Sequence, residues 1–107
     1  MIIPFDHFQN YENFKGGEKH LEAHMFYDGV NRMIKGVLIP GASIGTHCHE
    51  TSSEAIYVLD GNPKFIIDGV EERLCPGECH YCPKGSTHTM INDTKANVLF
   101  FAVVPEQ

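Results

Sequence analysis

Residues 41–61 read GASIGTHCHETSSEAIYVLDG and place two histidines and two glutamates within eight residues, between apolar runs. His47 and His49 stand at i and i+2. On a strand both imidazoles then project from one face and can hold one cation between them. Glu54, across a short polar turn, can return as a third donor. Three donors from one hairpin leave a hemisphere open, so a fourth must come from a distant strand. His88 is the candidate, because it follows PKGST (residues 83–87), a turn that would bring the next strand to the same end of the fold.

Outward from this stretch the chain is punctuated by ten glycines and six prolines at short intervals, which is the pattern of many short strands. Pro40-Gly41, Asp60-Gly61 and Pro76-Gly77 stop apolar runs, and Asp68-Gly69 inside KFIIDGVEERL is a type I′ hairpin signal. Helix signals are nearly absent. GEKHLEAHMF alternates about as well as it winds; as a strand it sets Leu21, Ala23 and Met25 on one face and a solvated row of His20, Glu22 and His24 on the other. Closely spaced strands without helices predict an all-β, antiparallel sandwich or barrel. The last strand, ANVLFFAVVP, is apolar on both alternating faces and is expected to be covered on both sides.

A chain of 107 residues has room for a single domain, 1–107, with one core. Eight basic against fourteen acidic residues give a net charge of -6 with no basic cluster, which argues against nucleic acid and anionic membrane as partners. MIIPFDHFQN lacks the basic start of a signal peptide, and VLFFAVV is too short to span a bilayer, so a soluble cytoplasmic protein is expected. Cys48, Cys75, Cys79 and Cys82 are then read as buried, small, apolar thiols. Cys79 and Cys82, three apart on a strand, would point to opposite faces. Cys48, between two ligand candidates, should face away from them. His80 is read as either exposed or behind the ligands, not as a further ligand.

The full spacing carries more than the histidines alone. From Gly41 the chain reads G-x5-H-x-H-x4-E-x6-G, ending at Gly61. From Gly77 it reads G-x5-P-x-G-x2-H-x3-N, ending at Asn92. These two motifs, 41–61 and 77–92, closely resemble the pair that defines the cupin superfamily, with every defining position filled. The resemblance implies a small jelly-roll-like antiparallel β-barrel of the single-domain bacterial kind, holding one divalent transition metal (Mn, Fe, Co, Ni, Cu or Zn) through His47, His49, Glu54 and His88. Gly41, Gly61, Gly77 and Gly85 would occupy turns that need positive φ, and Asn92 would bond its own turn.

Cupins with this ligand set include dioxygenases, isomerases, decarboxylases, lyases and proteins that only bind small molecules, so the fold leaves the reaction open. By resemblance the pocket walls are Ile34, Ile56, Met90 and Phe100, all apolar. Walls that supply no acid or base favour chemistry done by the metal, so the expected function is a metalloenzyme of oxygenase type acting on a small organic molecule. A non-catalytic metabolite-binding module, or a metal-dependent isomerase or decarboxylase, is the alternative. The oxalate-handling members carry an arginine three residues before the first motif histidine, where this chain has Ile44. With Arg32 read as solvated, the expectation is that oxalate is not converted and that a less charged, partly apolar substrate is preferred. The apolar ends MIIPF and VLFFAVVP exceed what one small barrel covers. A homodimer is expected, formed by a sheet face and by possible exchange of a strand from residues 1–30.

Overall fold

A computed structural model describes residues Met1–Gln107. Ten strands run as β1 (Gln9–Glu12), β2 (His20–Tyr27), β3 (Asn31–Leu38), β4 (Ser43–Cys48), β5 (Glu54–Asp60), β6 (Lys64–Ile67), β7 (Val70–Arg73), β8 (Cys79–Cys82), β9 (Thr87–Ile91) and β10 (Val98–Pro105), with one 3-10 turn at Phe14–Gly16. They form two antiparallel sheets, one of six strands in the order β1-β2-β3-β10-β5-β8 and one of four in the order β4-β9-β6-β7. No helix is long and apolar enough to cross a membrane.

The alternation seen in the sequence is what the sheets use. Leu21, Ala23, Ile34, Leu38, Ile56, Val58, Phe100 and Ala102 from the six-stranded sheet meet Ile44, Phe65 and Met90 from the four-stranded one in a single core. The segment 20–27 is a strand, with Leu21 and Ala23 buried, Met25 half-buried, and His20 within 3.1 Å of the Glu22 carboxylate on the outer row. Asp68 and Gly69 adopt φ of 47° and 82°, the two positive values that a type I′ turn between β6 and β7 requires. The four motif glycines, Gly41, Gly61, Gly77 and Gly85, have φ of 81° to 91°.

Two expectations need correction. Only Cys82 is buried, whereas Cys48, Cys75 and Cys79 are exposed and all four thiols are free. The reason is local: Cys79 shares the outer face of β8 with the exposed Tyr81, and Cys75 lies in the Pro76-Gly77 turn. Cys79 and Cys82 do face opposite ways, and burial pushes the Cys82 thiol up to about 11, with the Glu54 carboxylate adding to the shift. The second correction concerns β10. Its inner residues Val98, Phe100 and Ala102 are buried, but Leu99, Phe101 and Val103 on the outer face are only half-covered, and the Phe5 ring meets Phe101 edge-on at 5.5 Å.

Candidate metal centre and its cavity

β4 and β9 pair with His47 directly opposite His88, after a register shift between Ile44 and His47. His49 follows β4 in a short turn stitched to the next motif, its N–H donating to the Ser86 carbonyl and its carbonyl accepting from Gly85 N–H. Glu54 opens β5 in the other sheet, opposite Cys82. The four side chains converge, with one donor atom from each lying within 4.8 Å of all the others. His49, Glu54 and His88 are buried and His47 is half-buried.

The contacts among these atoms cannot be satisfied by hydrogen bonds alone. His49 Nε2 lies 3.1 Å from His47 Nε2, 3.0 Å from His88 Nε2 and 3.0 Å from Glu54 Oε1. An imidazole nitrogen has either one hydrogen or one lone pair, never a set that serves three neighbours. His47 Nδ1 donates to the Gly45 carbonyl at 2.8 Å and His49 Nδ1 lies 2.9 Å from Ser52 Oγ, so the Nε2 lone pairs are left facing one another and the carboxylate. A dication between them resolves the conflict. Donors at right angles on a cation with bonds of roughly 2.1 Å sit about 3.0 Å apart, which is the spacing found. The residues therefore fit a bound divalent metal and form a group that could hold one.

The electrostatics agree. Burial alone would push the Glu54 carboxyl up, but the His49 and His88 rings against its Oε1, which without a metal can turn an N–H toward it, outweigh that and hold it down to about 2. Burial also holds His47 below its ordinary value, against the pull of the Gly45 hydrogen bond and Glu54. Both shifts keep the donors in the form that binds a cation. Three neutral imidazoles and one carboxylate would leave a bound dication with net charge near +1 and room for further ligands.

The centre opens into a cavity of about 630 Å³, within the range of small-molecule sites. Ile34, Ile56, Met90 and Phe100 all line it, and all four are also members of the core. The wall is more polar than those four imply. Arg32, on β3 with the same parity as Ile34, lines the cavity with its guanidinium 4.6 Å from the centre of the Tyr27 ring, which corrects the reading of Arg32 as simply solvated. Its i, i+2 relation to Ile34 was the available signal. Tyr11, Phe14 and Lys15 from the amino-terminal segment and Glu50 and Glu106 from the loops also contribute, and the sequence held no cue to any of these.

Cys48 has its thiol exposed beside the Gly85 carbonyl and borders the cavity mouth. His80 is buried, not exposed, and lies behind His88. Asn92 does bond its own turn, accepting from Thr94 N–H and hydroxyl, and its amide also ties the Leu38 and Ala96 carbonyls.

A family model described as a cupin domain matches residues 36–104. The chain belongs to the cupin family. It is 28% identical over 98 residues to a Thermotoga maritima protein named as an oxalate-binding protein, covering 86% of this chain and 81% of that one. Among solved structures, one described as a predicted oxalate decarboxylase from Thermotoga maritima superposes with a TM-score of 0.93 at 23% identity, covering all of both chains. A cupin 2 conserved barrel domain protein from Salinispora arenicola superposes at 0.79 with 24% identity, over 99% of this chain and 88% of that one. At such identities the structures speak for the shared cupin fold.

Proposed function

We propose that this cupin is a metal-dependent site for a small organic carboxylate with an apolar body. The observation that carries the reading is the composition of the cavity. A centre of net charge near +1 lies among Ile34, Ile56, Met90 and Phe100, while Arg32 and Lys15 on the wall make no ion pair within 4 Å of any carboxylate. An anionic head would balance that charge and an apolar tail would cover the isoleucines. The name of the Thermotoga maritima relative, an oxalate-binding protein, supports a carboxylate as the head group. With Ile44 at the position of the family's oxalate-handling arginine, a monoanion with a tail suits this cavity better than oxalate.

His47, His49, Glu54 and His88 would hold the metal. When bound it supplies a Lewis acid and, for a redox-active ion, electron exchange with dioxygen. The chain's own part is to orient the ligand: Arg32 faces the carboxylate and the apolar floor excludes water from the tail. Titration calorimetry with oxalate and with a branched-chain 2-oxo acid tests this. The 2-oxo acid should bind the metal-loaded protein more tightly than oxalate, about tenfold less tightly after metal removal, and more weakly in Arg32→Ala. Equal binding to the stripped protein would refute the proposal.

Turnover of oxygenase type is a second reading, favoured by the apolar floor beside the donor set. Oxygen uptake by the iron-loaded protein with the 2-oxo acid, absent without metal, would establish it; binding without uptake would leave a binding module. We place the protein in the cytoplasm, consistent with its four free thiols, and as a homodimer through the outer face of β10, β5 and β8.

A further inference from the structure

Behind the four donors lies a second buried group that the centre itself does not account for. The His80 side chain has 0% exposure and comes from β8 of the six-stranded sheet, yet its Nε2 lies 2.9 Å from His88 Nδ1 on the other sheet. Its Nδ1 lies 2.5 Å from Glu72 Oε1 on β7, a carboxylate that is 44% exposed. The two imidazole planes differ by 13° with centroids 5.2 Å apart, so nitrogens 2.9 Å apart mean rings joined end to end, not face to face. Phe65 stacks on His80 at 4.0 Å and 13° and fixes the plane of that ring.

Proton placement follows from the acceptor at the end of the row. A carboxylate only accepts, so His80 Nδ1 carries a hydrogen and donates it to Glu72. Neutral His80 then has its lone pair on Nε2, so His88 Nδ1 must be the N–H that points at it. His88 Nε2 is left with its lone pair toward the centre. His47 and His49 instead use a backbone carbonyl and a serine hydroxyl. Only His88 is backed, through another ring, by a charged group near the surface.

We propose that Glu72 and His80 are positioning residues that set the tautomer of His88 and strengthen its Nε2 as a metal donor, so that a surface carboxylate on β7 tunes affinity at the buried centre. The proposal rests on the metal reading of the four donors. Aligned hydrogen bonds polarise one another, and a carboxylate at the far end shifts electron density toward the ligating nitrogen.

The test is competition between protein and a chromogenic chelator for cobalt(II), with the absorption spectrum of bound cobalt recorded for wild type, Glu72→Gln, His80→Phe and His80→Gln. Glu72→Gln keeps an acceptor and changes only a half-exposed residue. It should weaken cobalt binding several-fold and move the ligand-field bands to longer wavelength. His80→Phe keeps the stacking on Phe65 but removes the acceptor, and should lose about 10- to 100-fold in affinity. His80→Gln, which restores an acceptor for His88, should recover part of that loss. Wild-type affinity and an unmoved spectrum in both Glu72→Gln and His80→Phe would overturn the relay while leaving the centre intact. Failure of the wild-type protein to bind cobalt would overturn the centre and the relay together.

Discussion

His88 is the only one of the four donors to come from outside the first motif, and it sits opposite His47 with Glu54 3.0 Å away. His88→Ala is expected to weaken metal binding tenfold or more, on the order found for disturbed metal ligation, and full occupancy at low metal concentration would contradict the assignment. Without metal, the same residues make stability depend on pH. The imidazoles of His47 and His80 are held below their ordinary 6.5, mainly by burial, and Glu54 lies at about 2 against an ordinary 4.5. Each takes up a proton less readily folded than unfolded, so the unfolded chain binds more protons and stability rises with pH. The contribution is complete above about 6.5, falls as pH drops through the lowered histidine values, and loses the Glu54 part between 4.5 and about 2. Urea midpoints of the stripped protein at pH 8, 6 and 5 should decrease in that order, and a flat series would count against these environments. At this scale the convergence of His47, His49, Glu54 and His88 was legible because strand alternation and turn spacing act locally. His80 was not, because parity says which residues share a face but not which face is inward, and Arg32 was only half legible, because its parity with Ile34 aims it inward without saying whether a long charged side chain stays there.

The elements explain why the donors meet. The 3-10 turn at Phe14–Gly16 packs against β4 so closely that a Cβ on Gly45 would fall 2.0 Å from the Lys15 carbonyl oxygen, and one on Gly17 would fall 2.0 Å from the Ser43 carbonyl oxygen. Two backbones can approach this far only if both positions lack side chains. Gly45 also supplies the carbonyl that orients His47. Gly45→Ala is expected to destabilise the protein by about 1–3 kcal/mol, as overpacking does, and to weaken metal binding through His47. An unchanged urea midpoint would show that the turn moves aside freely. Strands ended by Pro-Gly or Asp-Gly were readable from the sequence because those pairs have a fixed conformational meaning. The amino-terminal contribution to the cavity, Tyr11, Phe14 and Lys15, was not, since it depends on Asn13 and Lys15 adopting positive φ of 49° and 56° without glycine.

For the molecule as a whole, the outer face of the six-stranded sheet is the feature one chain leaves unfinished. Phe101 lies beside Tyr57 across β10 and β5, and Val103, Ala55 and Tyr81 form the neighbouring row. Tyr57 and Tyr81 are 45% and 56% exposed. β1 pairs with β2 of its own chain, so the sheet face alone can supply the contact we propose for the dimer. Light scattering at micromolar concentration should give twice the 12.0 kDa chain mass, and Tyr57→Glu should shift it to one; a monomeric wild type would remove the dimer. The all-β architecture was legible from composition and punctuation, while the half-bare face was not, because coverage depends on how far the first eight residues reach across it. The donor set also spans both sheets, with Glu54 from one and His47 and His88 from the other. An ion seated there would be a rivet through the sandwich, tying the two layers together on one side while its other side stays open to the cavity. Loading the protein with metal should therefore raise its unfolding midpoint, because the ion binds only when both layers are in place.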